Sequence, residues 1–376
     1  MKFYFYIFAI LIFASCKNGG ESNIGSVSQQ RTIPKSNNIS LDKYVKLHDI
    51  IALEATEKSL VLAPNAKVKV YQDLLFVYGL GQPVLCFSLV SGKFLRPFGN
   101  QGAAQGEYVQ ATGLEVNKQF VYVLDGMSGK VIRYDHSGNV INQASNVNLM
   151  HSDDVVYFNG KIYINTPNDL NGADYYSLHE NLNKITKHFI GKANKGGIDD
   201  PYFPYKVKGL LSSYFTKIGE RELLLLRSIS EEIFTIDATS GKTSPVQDNN
   251  LRVIHTMPPL PKNFLQKDPE ERWQYVNLNP KLQQVFILQN RYIMQMFNKT
   301  DKKSYAHFSF FVYDLLQKEW KNISESFFDK IIHENTEYLT IPIFIYSDDN
   351  FLYSFDFSSL QSNSNDNPKL RRFKLQ

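Results

Sequence analysis

Short apolar runs rich in β-branched and aromatic residues recur along this chain, in pairs parted by a brief polar gap and closed by a Gly, Ser or Asn turn. In the first clear copy Leu74 to Val77 is followed by Val84 to Ser88, the turn Ser91-Gly92-Lys93, and Phe94 to Phe98. The second runs Phe120 to Leu124, Val131 to Tyr134, Asp135, Ser137-Gly138-Asn139 and Val140-Ile141. Further copies start at Lys161, Glu222, Tyr292 and Phe351, and the last ends in Leu370 to Leu375. Asp, Ser and Gly at such turns supply local hydrogen bonds and positive φ, as tight hairpins need. The runs alternate or are wholly apolar, which fits sheets packed on both faces. Six radial copies predict an all-β, six-bladed β-propeller over residues 39–376. The strand near Ile39 to Leu62 then completes the last blade beside Leu370 to Leu375. A parallel β-helix or a large sandwich is the structural alternative, but these repeats are long and irregular for a β-helix.

Residues 257–279 break the pattern. Asp268, Pro269 and Glu271 form a helix start of cap, first-position Pro and acidic first turn. A short helical insertion near residues 268–278 is expected there, its aromatics Trp273 and Tyr275 packing on blade edges.

The amino terminus reads differently. Lys2 precedes an unbroken apolar run from Phe3 to Phe13, too short to span a bilayer, so residues 1–15 read as a secretory signal peptide. Ala14 and Ser15 are small residues before Cys16, as in a lipobox, and predict lipid attachment at Cys16. Residues 16–38, rich in Gly, Ser, Asn and Gln, read as a flexible tether. Lys17 is not the Asp of inner-membrane retention, so an outer-membrane anchor is expected, facing either the periplasm or the outside. With Cys16 acylated, Cys86 has no disulfide partner and reads as a small buried hydrophobe.

Composition adds little to this picture except by exclusion. The 27 Phe and 22 Tyr favour strands. The formal net charge is +4, or +3 without Lys2, and no basic run is longer than a pair such as Arg371-Arg372, so a nucleic-acid partner is not expected. The eight His form no i, i+4 pair and no His-Glu-x-x-His, so no metal ligand set is evident and no cofactor is implied. No Gly-x-Ser-x-Gly occurs, and Ser40-Leu41-Asp42-Lys43 lacks the partners of a Ser-x-x-Lys enzyme. The Gly99 to Tyr108 loop lacks the Gly-Lys-Ser/Thr of a phosphate cradle and reads as a structural turn that Glu107 and Tyr108 pin to a neighbouring blade.

The stretch from Gly92-Lys93-Phe94-Leu95 through Phe98-Gly99, then Gly102 to Tyr108, resembles the six-bladed β-propeller lipoproteins of Bacteroidetes-type bacteria, in the TolB-like and NHL-like group. The loop keeps Gly102, Gly106, Glu107 and Tyr108 and departs at Ala104 and Gln105, where that group often has Gly and Pro. Val121 to Asp125 and Ile132 to Asp135 are also typical of it. The resemblance implies fold and location, and no defined activity.

Two candidate sites remain. The cluster His151-Ser152-Asp153-Asp154 precedes a strand and is expected at a channel mouth. Asp200, Tyr202, Phe203 and Tyr205 lie on a Pro-stiffened loop whose aromatic faces suit sugars or peptides. The expected function is a membrane-anchored binding or scaffold module for a protein or glycan partner. The alternatives are a metal-dependent propeller hydrolase or lyase, drawing on Glu115, Asp125, Asp153 and Asp154 in the central channel, and a purely structural envelope component.

Overall fold

The computed structural model describes residues 39–40, 44–61, 66–165, 175–188, 213–218, 222–227, 232–237, 239–246, 263–268, 270–271, 275, 281–298, 307–324, 329–333, 336–340, 344–356 and 367–376. The signal peptide, Cys16 and the tether fall outside them.

Six antiparallel sheets follow one another along the chain. Blade 1 comprises Ala66–Tyr71, Leu74–Gly79, Gln82–Ser88 and Phe94–Phe98. Blade 2 comprises Ala111–Val116, Phe120–Asp125, Lys130–Asp135 and Val140–Ser145. Blade 3 comprises Val155–Phe158, Lys161–Asn165, Tyr175–His179 and Ile185–His188. Blade 4 comprises Ser213–Ile218, Glu222–Arg227, Glu232–Asp237 and Thr243–Pro245. Blade 5 comprises Lys281–Leu288, Arg291–Asn298, His307–Asp314 and Glu319–Ser324, with Ile39–Ser40 added in parallel at its outer edge. Blade 6 takes Phe344–Ser347, Leu352–Asp356 and Lys369–Leu375 from the carboxyl end and its outermost strand, Val45–Ala52, from the amino end.

The first strand of each blade contacts the first strand of the next, all the way round, so the sheets form a closed ring. The amino-terminal strand closes it, as the sequence predicts: Val45 stands opposite Leu375 and Ala52 opposite Lys369. Each blade's innermost strand, such as Ala66–Tyr71 or Ala111–Val116, is what the repeat pattern missed. Ala66–Tyr71 and Ala111–Val116 mix charged and apolar residues, whereas Val155–Phe158, Ser213–Ile218 and Phe344–Ser347 carry Tyr or Phe.

There is no single central core. The buried side chains fall into six clusters, one between each pair of consecutive blades. This is why the middle strands are apolar on both faces: each face lies against another blade. Leu75 and Val77 pack toward blade 6, while Phe76 packs toward blade 2. Aromatic edges lock the seams, as where Phe98 meets Phe76 at 5.3 Å and 89° and Tyr134 at 5.5 Å and 72°. Cys86 is fully buried in the seam of blades 1 and 2, and burial pushes its thiol up to about 11.

The turns behave as their residues predict. Asp135 Oδ1 accepts from Ser137 N (2.8 Å) and Asn139 N (2.9 Å), and Asp314 Oδ1 accepts from Leu316 N (2.9 Å) and Gln317 N (3.0 Å). Gly92 is the most constrained turn residue. Its φ is +69°, and a Cβ there would lie 1.9 Å from Ala52 O of blade 6. Gly92→Ala combines left-handed strain of about 1–2 kcal/mol with a backbone clash at the closing seam. It is expected to lower stability by at least about 2 kcal/mol, read from the urea midpoint. A variant within 0.5 kcal/mol or so of the parent would mean that the seam yields.

In the inserted segment Glu270, Glu271 and Tyr275 are helical, and Asp268 Oδ1 caps the start by accepting from Glu270 N (2.8 Å) and Glu271 N (2.9 Å). Tyr275 packs on buried Phe264, with ring centroids 5.6 Å apart.

Candidate functional site

Alternation of strand direction puts two sets of connections at opposite ends of every blade. At one end lie the turns from first to second and from third to fourth strand. None of those bounded by described strands exceeds five residues, as in 72–73, 117–119, 159–160 and 289–290. At the other end lie the connections from second to third strand and from each blade to the next. The long ones all leave and rejoin the strands at this end: 53–65, 99–110, 146–154, 166–174, 189–212, 246–280, 299–306, 325–343 and 357–368. The ring therefore has a plain face and an insertion-bearing face.

The channel entered from the insertion-bearing face is lined by charge. Lys67, second in the first strand of blade 1, donates from Nζ to Thr112 O of blade 2 (3.0 Å) and to Asp153 O before blade 3 (2.8 Å). Further along the same strands, the fully buried carboxylate of Glu115 in blade 2 is bonded by Lys69 of blade 1 and by Lys217 of blade 4 at 2.7 Å. Blade 4 stands opposite blade 1 in a six-membered ring, so this ion triad crosses the axis. Lys69 also lies 5.3 Å from the ring centroid of Tyr346 in blade 6. Burial alone would raise the Glu115 pKa; the two ammonium groups override it and hold the carboxyl below its ordinary value.

Asp154 behaves in the opposite way. Burial, with help from Asp153, raises its pKa to about 6 against the opposing pull of the Phe215 N–H, Lys67 and Lys69. Its Oδ2 accepts from Phe215 N at 2.7 Å and so ties blade 3 to blade 4. A carboxyl whose folded pKa is raised contributes stability below the unfolded value near 3.8, and that stability is lost as pH rises through about 6. Asp154→Asn is expected to remove up to about 1.4 kcal/mol per pH unit of slope in that window. Urea midpoints at pH 4.5 and 6.5 check this, and parallel lines for parent and variant would refute it.

The sequence-predicted residues are not all brought together. His151 is exposed at φ +66°, with its backbone N on Gly126 O (2.6 Å). Asp153 and Asp154 are held instead by buried Asn165, whose Oδ1 accepts from both of their backbone N–H groups at 3.0 and 3.1 Å. Asp125 is fully buried and occupied by protein donors: Val109 N (2.8 Å), Gln110 N (3.4 Å), Met127 N (3.0 Å), Ser128 N (3.2 Å) and Ser128 Oγ (2.5 Å). Of the four carboxylates expected in the channel, Glu115 lies across it in a lysine pair. Among the described residues no group of three or more His, Cys, Asp or Glu is placed to hold a metal ion. Asp200, Tyr202, Phe203 and Tyr205 fall outside the described residues, between the last strand of blade 3 and the first strand of blade 4.

The Gly99 to Tyr108 loop is a wedge between blades. Tyr108 Oη donates to Phe98 O (3.0 Å) and accepts from Val84 N (2.9 Å), while Tyr134 Oη donates to Gly106 O (2.9 Å). Glu107 Oε2 accepts from Ala104 N (3.0 Å) within the loop. The departures at Ala104 and Gln105 leave this pinning intact.

Sequence reasoning missed Lys67, Lys69 and Lys217. The alternation Ala66-Lys67-Val68-Lys69-Val70 does mark one polar strand face, but such a face is ordinarily solvent. It also missed Ser177, whose Oγ lies 2.7 Å from His188 Nε2 under a ring of Tyr175 stacked at 4.5 Å. Ser177 is almost wholly buried and joins two strands of blade 3, so the pair is part of the packing.

A family model described as a 6-bladed beta-propeller, DUF5128, matches residues 17–354. The chain belongs to that family. Among solved structures it is similar to a protein of Bacteroides fragilis NCTC 9343 named for its expected export. That match has 13% identity and a TM-score of 0.61, and covers 91% of this chain and 98% of the other. It is also similar to a duf4221 family member from Bacteroides vulgatus, at 9% identity and TM-score 0.56, covering 89% and 99%. At such identities these two likenesses speak for the fold alone. No curated protein matches this DUF5128 chain in sequence.

Proposed function

We propose that this chain is a lipid-anchored propeller of the cell envelope that captures a protein or glycan partner on its insertion-bearing face. The observation that carries this is the asymmetry of its connections. In repeat architectures the insertions gather on one face, which is commonly the binding face. The anchor rests on Cys16 after its apolar leader, and the similar Bacteroides fragilis protein is named for export. Among the described residues no exposed large hydrophobic is aromatic. Sugar stacking would therefore draw on the connection that holds Tyr202, Phe203 and Tyr205.

The test uses the full chain in its own envelope, with a photo-crosslinking side chain at one of two exposed positions. Met127, 51% exposed, is on the insertion-bearing face; Leu316, 80% exposed, is in a turn of the plain face. A discrete adduct from position 127 and none from 316 is expected. Adducts from 316 alone, or equal labelling from both, would reject the reading. The anchor is tested separately, by loss of membrane fractionation in Cys16→Ala.

A further inference from the structure

The ammonium of Lys67 is held differently from the two below it. Lys69 and Lys217 are each bonded to the Glu115 carboxylate. Lys67 is bonded to two neutral carbonyls, Thr112 O and Asp153 O. Among the described residues no carboxylate oxygen lies within ion-pair distance of it. An ammonium carries three N–H donors. Two carbonyls therefore leave one donor without an acceptor among the described residues, while the charge acts on Asp154 from beyond ion-pair distance. The residue is only partly buried, and Lys217 below it is 40% exposed, so solvent reaches both. The carbonyls of blades 2 and 3 also fix the long side chain in place. The entropy of ordering it is lost on folding and is not charged to a ligand.

We propose that Lys67 anchors an acidic group, a carboxylate or a phosphodiester, carried by the partner and seated above the Lys69–Glu115–Lys217 bridge. This deepens the reading of the insertion-bearing face as the capture surface and rests on it. The bridge crosses the axis and forms the floor of the site, so the acidic group enters from the mouth and goes no further.

The surrounding charges make the site respond to pH. Facing Asp154 are Lys67, Lys69 and Tyr78 from blade 1, Asp153 on its own segment, and the Phe215 N–H from blade 4, with Glu115 and Lys217 joined to this group through Lys69. Once Asp154 takes up a proton, the charge beside Lys67 and Lys69 becomes more positive by one. An anion of constant charge then binds more tightly at pH 5.5 than at pH 7.5, by about fivefold at most.

The experiment titrates the full chain with glucuronate and, separately, with dimethyl phosphate, at constant ionic strength in chloride. Glucose is the uncharged control. Both acids keep one negative charge between pH 5.5 and 7.5. A rise in melting temperature with at least one acid and none with glucose is expected, larger at pH 5.5. The arm that responds tells carboxylate from phosphodiester. Lys67→Gln should abolish the rise, Lys67→Arg should keep it, and Lys46→Gln, on the exposed outer strand of blade 6, should leave it unchanged. Asp154→Asn should give the pH 5.5 response at pH 7.5. No response in the parent to either acid, or an equal response in Lys67→Gln, overturns the proposal. If position 127 still crosslinks under either of those results, the capture face stands and the acidic-group inference alone falls.

Discussion

Replacing Glu115 by Leu is expected to destabilise the protein by about 3 kcal/mol, the low end for a broken buried pair because Lys217 is 40% exposed. The carboxylate is fully buried and bonded by Lys69 and Lys217 from two other blades. Without it, two ammonium groups face each other in the channel with no counter-charge. The cost arises chiefly from the charges left behind and much less from any net worth of the triad, and a compensating variant separates the two. Lys69→Met with Glu115→Leu and Lys217→Met removes every member, and a well-packed apolar replacement of a buried ion cluster is often neutral or stabilising. Recovery of most of the lost stability in the triple variant is expected, read from urea midpoints at pH 7.5. A triple variant as unstable as the single one would mean that the triad holds the ring through geometry that apolar groups cannot supply. The pH sign also follows. The Glu115 carboxyl is held below its ordinary value, so its stabilisation is present above the unfolded pKa near 4.5. That contribution is lost as pH falls through the folded value. It opposes the Asp154 contribution, which grows over the same descent.

The second large effect is at Asp125. This carboxylate accepts from the backbone of Val109, Gln110, Met127 and Ser128 and from the Ser128 hydroxyl. It thereby fastens the connection entering blade 2 to the turn between that blade's second and third strands. Asp125→Ala leaves these donors without their acceptor at a fully buried position. At about 1–3 kcal/mol for each donor that finds no water, a loss on the order of 4 kcal/mol is expected. Asp125→Asn keeps one oxygen and should recover part of it. Amide exchange at Val109, Met127 and Ser128 is the deciding measurement. Exchange should rise there in Asp125→Ala even under conditions where the ring stays folded. Unchanged exchange would show that other contacts hold this part of the face.

How much of this was legible in the chain differs between scaffold and site. The turn residues Gly92, Gly138 and Gly241 adopt the positive φ expected of them, at 69°, 91° and 68°. The closing pairing of Val45–Ala52 with Lys369–Leu375 was also foreseen, because a ring must join its ends. Of the innermost strands only Val155–Phe158 was legible, as a strand outside the repeat. Lys67, Lys69 and Glu115 sit in them as charged residues among apolar ones, a pattern that also describes any half-exposed strand. The His151 to Asp154 cluster was read as one unit at a channel mouth. Its adjacency in sequence nevertheless misled: the backbone turns sharply at His151 and leaves that ring exposed, while Asp153 and Asp154 turn to Asn165 and Phe215.

The amino-acid sequence by itself determined that this is a repeated, all-β chain with tight Asp and Gly turns and a ring to close. Those features are local: hydrophobic period, turn chemistry and the spacing of repeats act within a few tens of residues. Only the tertiary structure decided that Lys69, Glu115 and Lys217 meet, that Lys67 rests on carbonyls of two other blades, and that the long connections share one face. These depend on contacts between residues as far apart as Glu115 and Lys217, 102 positions from one another. Ring closure sets that geometry, and no local pattern in the chain encodes it.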